Sequence, residues 1–229
     1  MQLPIYSPED EQMLMAKLWA PKVKDDPEAF VMFAFPWGQK GTPLEHFHGP
    51  RKWQRKILRD IAEHIAANKQ ATAYEVLRMA TSSGRGIGKS ALVSWLILWM
   101  LSTRIGSTTI VSANSEAQLR SVTWAEITKW AALLMNSHWF EISATRVMPA
   151  KWLAELVERD LKKGTRYWSV EGRLWSEENP DSYAGVHNHD GVMVIFDEAS
   201  GIPDPIWSVT AGFFTENTPN RFWFAFSNP

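Results

Sequence analysis

Apolar residues in this chain gather into short continuous runs and one longer one. Thr108 to Ala113, Gly191 to Phe196 and Arg221 to Phe226 read as strands buried on both faces, the pattern of a parallel sheet. A β-leaning stretch from Tyr74 to Ala80 precedes Ala91 to Leu101, the strongest apolar segment. That segment is far shorter than the roughly 20 residues a bilayer span needs and reads as a buried helix. Trp53 to Ala67 has helical period, with Ile57, Ile61 and Ile65 on one face. Ser115-Glu116-Ala117-Gln118 fits a capping box that opens a helix reaching about Met135. Phe140 to Val147 and Tyr167 to Trp175 read as strands on either side of a charged helix from about Pro149 to Lys163. Asn179-Pro180-Asp181-Ser182 marks a loop. Residues 1–50 combine a short helical pattern from Pro8 to Leu18 with a Pro- and Gly-rich connection from Pro36 to Pro50, and form a lead-in to a core over residues 51–229. Strands alternating with helices predict an α/β domain with a mostly parallel central sheet flanked by helices.

A length of 229 residues suits one such domain. The formal net charge of −1 gives no overall basic signature, so any nucleic-acid contact must be local. Two basic runs offer one: Arg51, Lys52, Arg55, Lys56 and Arg59, or Lys151, Arg159, Lys162, Lys163 and Arg166, both of which also fit solvated helix faces. The absence of cysteine excludes disulfides and thiolate metal sites. No signal peptide is recognisable, and a cytoplasmic setting is expected. Thirteen tryptophans are scattered without a repeat and are assigned to packing. The chain stops at the tip of its last strand, where a complete domain rarely ends, so a longer parent protein is expected.

The chemistry lies in two motifs. Ser83-Gly84-Arg85-Gly86-Ile87-Gly88-Lys89-Ser90 follows the β-leaning segment and opens the apolar helix, the order a phosphate-binding loop requires. Small residues let successive N–H groups curl around phosphate oxygens at the positive end of a helix. Lys89 is expected to bridge the β- and γ-phosphates, and the Ser90 hydroxyl to ligate Mg²⁺. Ser83 stands where the usual pattern has glycine. The second motif, Gly191 to Ser200, ends its apolar run in Asp197-Glu198. Asp197 is expected on the Mg²⁺, through Ser90 or water, with Glu198 polarising the attacking water. A small GTPase is excluded. Its aspartate motif needs glycine where Ser200 stands, and the Asn68-Lys69 pair continues as Gln70-Ala71. His187, His189 and Asp190 form one cluster without a second, and read as loop residues rather than a metal site.

With Gly49-Pro50-Arg51-Lys52-Trp53-Gln54 before the loop, Arg85 within it, Tyr183-Ala184-Gly185-Val186-His187 before Ile195-Phe196-Asp197-Glu198-Ala199, and Ser227-Asn228-Pro229 after the last strand, the set resembles the ATPase domain of the tailed-phage terminase large subunit. The resemblance covers about residues 50–229. It implies a RecA-like P-loop ATPase using ATP and Mg²⁺, and double-stranded DNA held mainly by its phosphates. It also implies a portal protein and a small terminase subunit as partners, a homo-oligomeric ring during packaging, an isolated domain that is monomeric, and the host cytoplasm as the setting. Gln54 would hydrogen-bond the adenine edge, or is an exposed helix glutamine. Arg85 would stabilise transition-state charge in cis, or faces solvent. Ser227 and Asn228 would sense the γ-phosphate as a coupling motif, or close a plain turn. Arg120 and Arg173 are candidates for an arginine acting on a neighbouring subunit's site. The family's C-terminal nuclease is not part of this sequence, and nuclease activity is not expected. A superfamily 2 helicase or translocase lobe shares the glutamine motif and the Asp-Glu strand. A nucleotide-binding assembly module that barely hydrolyses ATP is a third reading.

Overall fold

The computed structural model describes residues 7 to 84 and 86 to 228. Its helices and strands follow one another as α1 (Pro8–Trp19), α2 (Pro21–Lys24), α3 (Pro27–Ala34), α4 (Lys52–Asn68), β1 (Leu77–Ser82), α5 (Lys89–Thr103), β2 (Thr108–Ala113), α6 (Glu116–Gln118), α7 (Trp124–Leu133), β3 (Phe140–Ile142), β4 (Arg146–Pro149), α8 (Lys151–Asp160), β5 (Ser169–Gly172), β6 (Val192–Asp197), α9 (Asp204–Ala211) and β7 (Arg221–Ser227). The strands form one sheet in the order β1-β7-β6-β2-β5-β4-β3. The first five run parallel, and β4 and β3 continue the sheet antiparallel. This is the expected α/β class with a mostly parallel sheet.

Alternation along the central strands shows why they read as continuous apolar runs. Met193 and Ile195 of β6 and Phe222, Phe224 and Phe226 of β7 join a core with α5, α7, α4 and α1 to α3. Val192, Val194 and Phe196, with Trp223 and Ala225, join a second core with Ile202, Ile206, Phe213 and Tyr183. Both faces are therefore covered. Helix α5 sits in the first core, and Leu92 to Thr103 are all buried. Leu14, Leu18, Val23, Phe30, Val31 and Leu44 belong to that same cluster, so residues 14–44 pack onto the core they precede. Trp95, Trp130, Trp37 and Phe35 stack edge-on or tilted at 5.0 to 6.4 Å, and the indoles of Trp19, Trp99 and Trp168 donate to the Ser102, Lys24 and Leu101 carbonyls. Packing accounts for these tryptophans.

The structure departs from the sequence reading in four places. The segment from Phe140 to Val147 is not one strand but the start of a hairpin, in which Ile142 pairs with Val147. Its turn has no glycine, proline or asparagine; Ser143 makes it, its Oγ accepting from Arg146 N–H at 3.1 Å. The helix expected from Ser115 to Met135 is interrupted by a five-residue π turn, Leu119–Thr123. The expected Ser115 cap is present, accepting from Gln118 N–H at 3.2 Å. Helices α3 and α9 were not anticipated. The first is capped by Asp26, which accepts from Ala29 N–H, and both begin next to a proline. Among the described residues no helix is long and apolar enough to cross a membrane.

Leu96 is fully buried at the centre of α5. Leu96→Ala should lower unfolding stability by about 2 to 5 kcal/mol, read from urea denaturation. A loss under about 1 kcal/mol would contradict this placement.

Candidate active site

Strand β1 ends at Ser82, and Ser83 N–H still donates to Ser227 O at 3.1 Å, which ties the start of the loop to the tip of β7. Gly86 (φ 71°) and Gly88 (φ 95°) take left-handed conformations, and Gly88 caps α5. A Cβ at Gly88 would lie 2.9 Å from Gln54 Nε2, so glycine is required there on two counts. Gln54 itself is buried, and both ends of its amide are engaged. Oε1 accepts from Arg51 N–H at 2.7 Å, and Nε2 donates to Gly88 O at 2.8 Å. The reading of an exposed glutamine does not describe it. The Arg51 guanidinium also reaches Gly86 O at 3.4 Å.

Lys89 turns inward, donating to Ser83 O at 2.7 Å, Gly84 O at 3.2 Å and Asn228 Oδ1 at 2.6 Å. The other end of the Asn228 amide donates to both carboxylate oxygens of Glu198, each at 2.9 Å. One side chain thus joins the loop lysine to the acidic motif. Glu198 carries φ 54° and ψ 47°, a left-handed backbone that costs a non-glycine residue of order 1 to 3 kcal/mol and concentrates at functional sites. Asp197 is buried at the end of β6, and burial pushes its carboxyl above the ordinary range; the Glu198 charge adds to this, and a hydrogen bond from Thr123 opposes it. Thr123 Oγ1 donates to Asp197 Oδ2 at 2.6 Å. Nothing in the sequence pattern signals Thr123, because its partner lies 74 residues away across the fold.

Lys89, Glu198 and Asn228 border a cleft of about 640 Å³. Gly84, Gly86, Gly88, Lys89 and Ser90 line one side with Glu198 and Asn228, and Asn114, Gln118, Val122 and Glu126 line the other. It lies at the carboxyl ends of parallel strands, the usual place for ligands in such sheets. Ser83 Oγ is buried with no hydrogen-bond partner among the described residues. Ser227 donates to Ser200 Oγ at 2.9 Å. Arg85 and Pro229 lie outside the described residues. Ile87 is half-buried. Elsewhere, Arg173 is held by Glu171 at 3.0 Å and Tyr183 O at 3.2 Å, and Arg120 pairs with Glu116 at 2.6 Å. His189 faces Glu216 and Asp190 faces Lys163, so the histidine loop points to separate partners. The basic runs are largely paired as well: Arg55 and Arg59 with Glu28, Lys56 with Asp60, Arg159 with Asp160.

No protein-family model matches the sequence, and no curated protein does. Among solved structures, the chain is similar to the HK97 bacteriophage large terminase, at 14% identity and a TM-score of 0.57, over 89% of this chain and 37% of that one. It is also similar to an arginine-to-alanine variant of the Thermus phage P74-26 large terminase ATPase domain, at 20% identity and a TM-score of 0.50, over 79% of this chain and 65% of that one. The chain therefore spans less than two thirds of either. Its RecA-like fold is the one found in phage large-terminase ATPase domains, as its motifs led us to expect.

Proposed function

We propose that this chain is the ATP-hydrolysing motor domain of a DNA-packaging terminase large subunit. The observation that carries the proposal is the convergence, in one cleft, of a glycine loop on a helix N-terminus, Lys89, Glu198 and Asn228, with Asp197 buried next to Glu198 at the end of β6. Loop N–H groups and the α5 N-terminus suit a triphosphate. Phosphate oxygens entering the loop compete with Ser83 O, Gly84 O and Asn228 for the Lys89 ammonium. Loosening the Lys89 contact frees the Asn228 amide to change its hold on Glu198, so Asn228, with Ser227 beside it, serves as the sensor. Glu198 then orients water and accepts its proton. Arg85 is retained as the arginine that acts in cis on developing phosphate charge.

Ser90 and Asp197 would hold Mg²⁺. The fit rests on the donor set, hard oxygen ligands that include a buried carboxylate whose desolvation a divalent cation offsets. When bound, Mg²⁺ neutralises charge on the phosphate oxygens.

Gln54 is proposed first as an anchor that fixes the loop to α4, because both ends of its amide hold backbone groups; its second N–H and second lone pair keep the capacity to meet an adenine edge. DNA is proposed to bind by its phosphates, sequence-tolerantly and with strong salt dependence. A ring on a portal, a small terminase subunit and the host cytoplasm complete the reading. Of the two arginines considered for action across a subunit boundary, Arg120 is the freer to reach, since its ion pair with Glu116 is exposed.

Steady-state ATP hydrolysis with Mg²⁺, with and without duplex DNA, tests the proposal. Glu198→Gln should lose about 10²- to 10⁴-fold in turnover while still binding nucleotide. Lys89→Ala should lose binding or turnover with an unchanged circular dichroism spectrum; normal turnover by that variant would remove the central claim. Stimulation by duplex DNA supports the motor, whereas tight ATP binding with a slow rate indifferent to Glu198→Gln points to a binding module. Asn228→Ala should leave ATP affinity within a few-fold but uncouple hydrolysis from DNA stimulation; a variant stimulated as fully as the parent would deny Asn228 a sensor role. Gln54→Leu should weaken ATP and GTP to the same degree by loosening the loop, and a loss confined to ATP would restore the adenine reading.

A further inference from the structure

We infer that Thr123, presented by the π turn between α6 and α7, is a positioning residue that fixes the Asp197 carboxylate for the metal; the inference rests on the ATPase reading above. The π turn is defined by Trp124 N–H bonding back to Leu119 O, five residues away instead of four. Such wide turns occur mostly as single insertions, frequently at functional sites. Several other helix hydroxyls among the described residues satisfy themselves locally. Ser94 donates to Ser90 O at 2.8 Å, Thr103 to Trp99 O at 2.6 Å, and Thr128 to Trp124 O at 2.9 Å. Thr123 is different. Its hydroxyl stands 3.4 Å from Gln118 O but only 2.6 Å from Asp197 Oδ2, and with one proton to give it serves the carboxylate.

Both residues are buried, so no competing water is needed to explain the contact, and Oδ2 is held at a fixed point. The same helical segment brings Gln118, Val122 and Glu126 to the wall of the cleft. A single element therefore borders the nucleotide cleft with one side and grips the metal-side carboxylate with another. Partners that orient a ligating group typically change metal affinity about 10- to 100-fold when removed.

The test measures ADP affinity by calorimetry in Mg²⁺ and in EDTA, for the parent chain and for Thr123→Val, Thr123→Cys and Thr123→Ser. The parent should bind ADP more tightly with Mg²⁺. In Thr123→Val, which keeps the shape and removes the donor, the Mg²⁺ enhancement should fall about 10-fold or more while the EDTA affinity stays put. Thr123→Ser should restore the enhancement, and Thr123→Cys, a weak donor, should fall between. If Thr123→Val proves too unstable to assay, the contrast between Ser and Cys decides the matter. An enhancement equal to the parent's in Val, or in Cys where Val cannot be assayed, overturns the inference. So does an equal loss in Mg²⁺ and EDTA, which would mark a structural role. A parent chain that binds no ADP overturns the ATPase reading itself, and is thereby distinct from a failure of Thr123 alone.

Discussion

The placement of β7 between β1 and β6 is the constraint on which the site depends. Parallel pairing brings Ser82 beside Ser227 and Asp197 beside Phe226. The end of the phosphate loop's strand and the end of the acidic strand are thus held one strand apart, and whatever follows Ser227 must sit between them. Asn228 does. An amide is the side chain suited to that place, because it accepts from the Lys89 ammonium with one end and donates to the Glu198 carboxylate with the other. A residue that could only donate or only accept would satisfy one charge and leave the other.

Unfavourable features are concentrated at the same point. Glu198 has a left-handed backbone, and Asp197 keeps a carboxylate where burial disfavours it. Such features persist only when their surroundings over-determine them. Here the surroundings are two cores, one on each face of the sheet, with α5 buried along nearly its whole length directly behind the loop. The buried Arg104 guanidinium adds to this frame. Burial lowers it to about 10, and it is held by Asp25, Lys24 O and the face of Trp99. That contact fixes the end of α5 to the first helices, which explains why the N-terminal segment packs with the core.

Rigidity also reaches the loop from the side. Gln54 clips Gly88 to α4, and Glu28 bridges Arg55 and Arg59, so α3 and α4 are tied together behind the clip. Opposite, the π turn ties the far wall of the cleft to Asp197. Cleft geometry is therefore set by polar contacts between elements distant in sequence, laid over an apolar frame.

The sequence by itself determined the parts whose signal is local. Strands β6 and β7 were legible because burial on both faces leaves almost no polar position to interrupt the run. The loop was legible because glycine adopts the left-handed backbone at Gly86 and Gly88 without steric cost, and α4 because its apolar face repeats every four residues. The tertiary structure decided what depends on pairing across the chain. It made a hairpin of residues 140–149, whose turn is closed by a serine that any pattern would pass over. It turned the Gln54 amide onto backbone groups, gave Thr123 to Asp197, and joined Lys89 to Glu198 through Asn228. A residue's type announces what it can bond to; which partner it meets is fixed only when strand order and helix register bring the two within 3 Å.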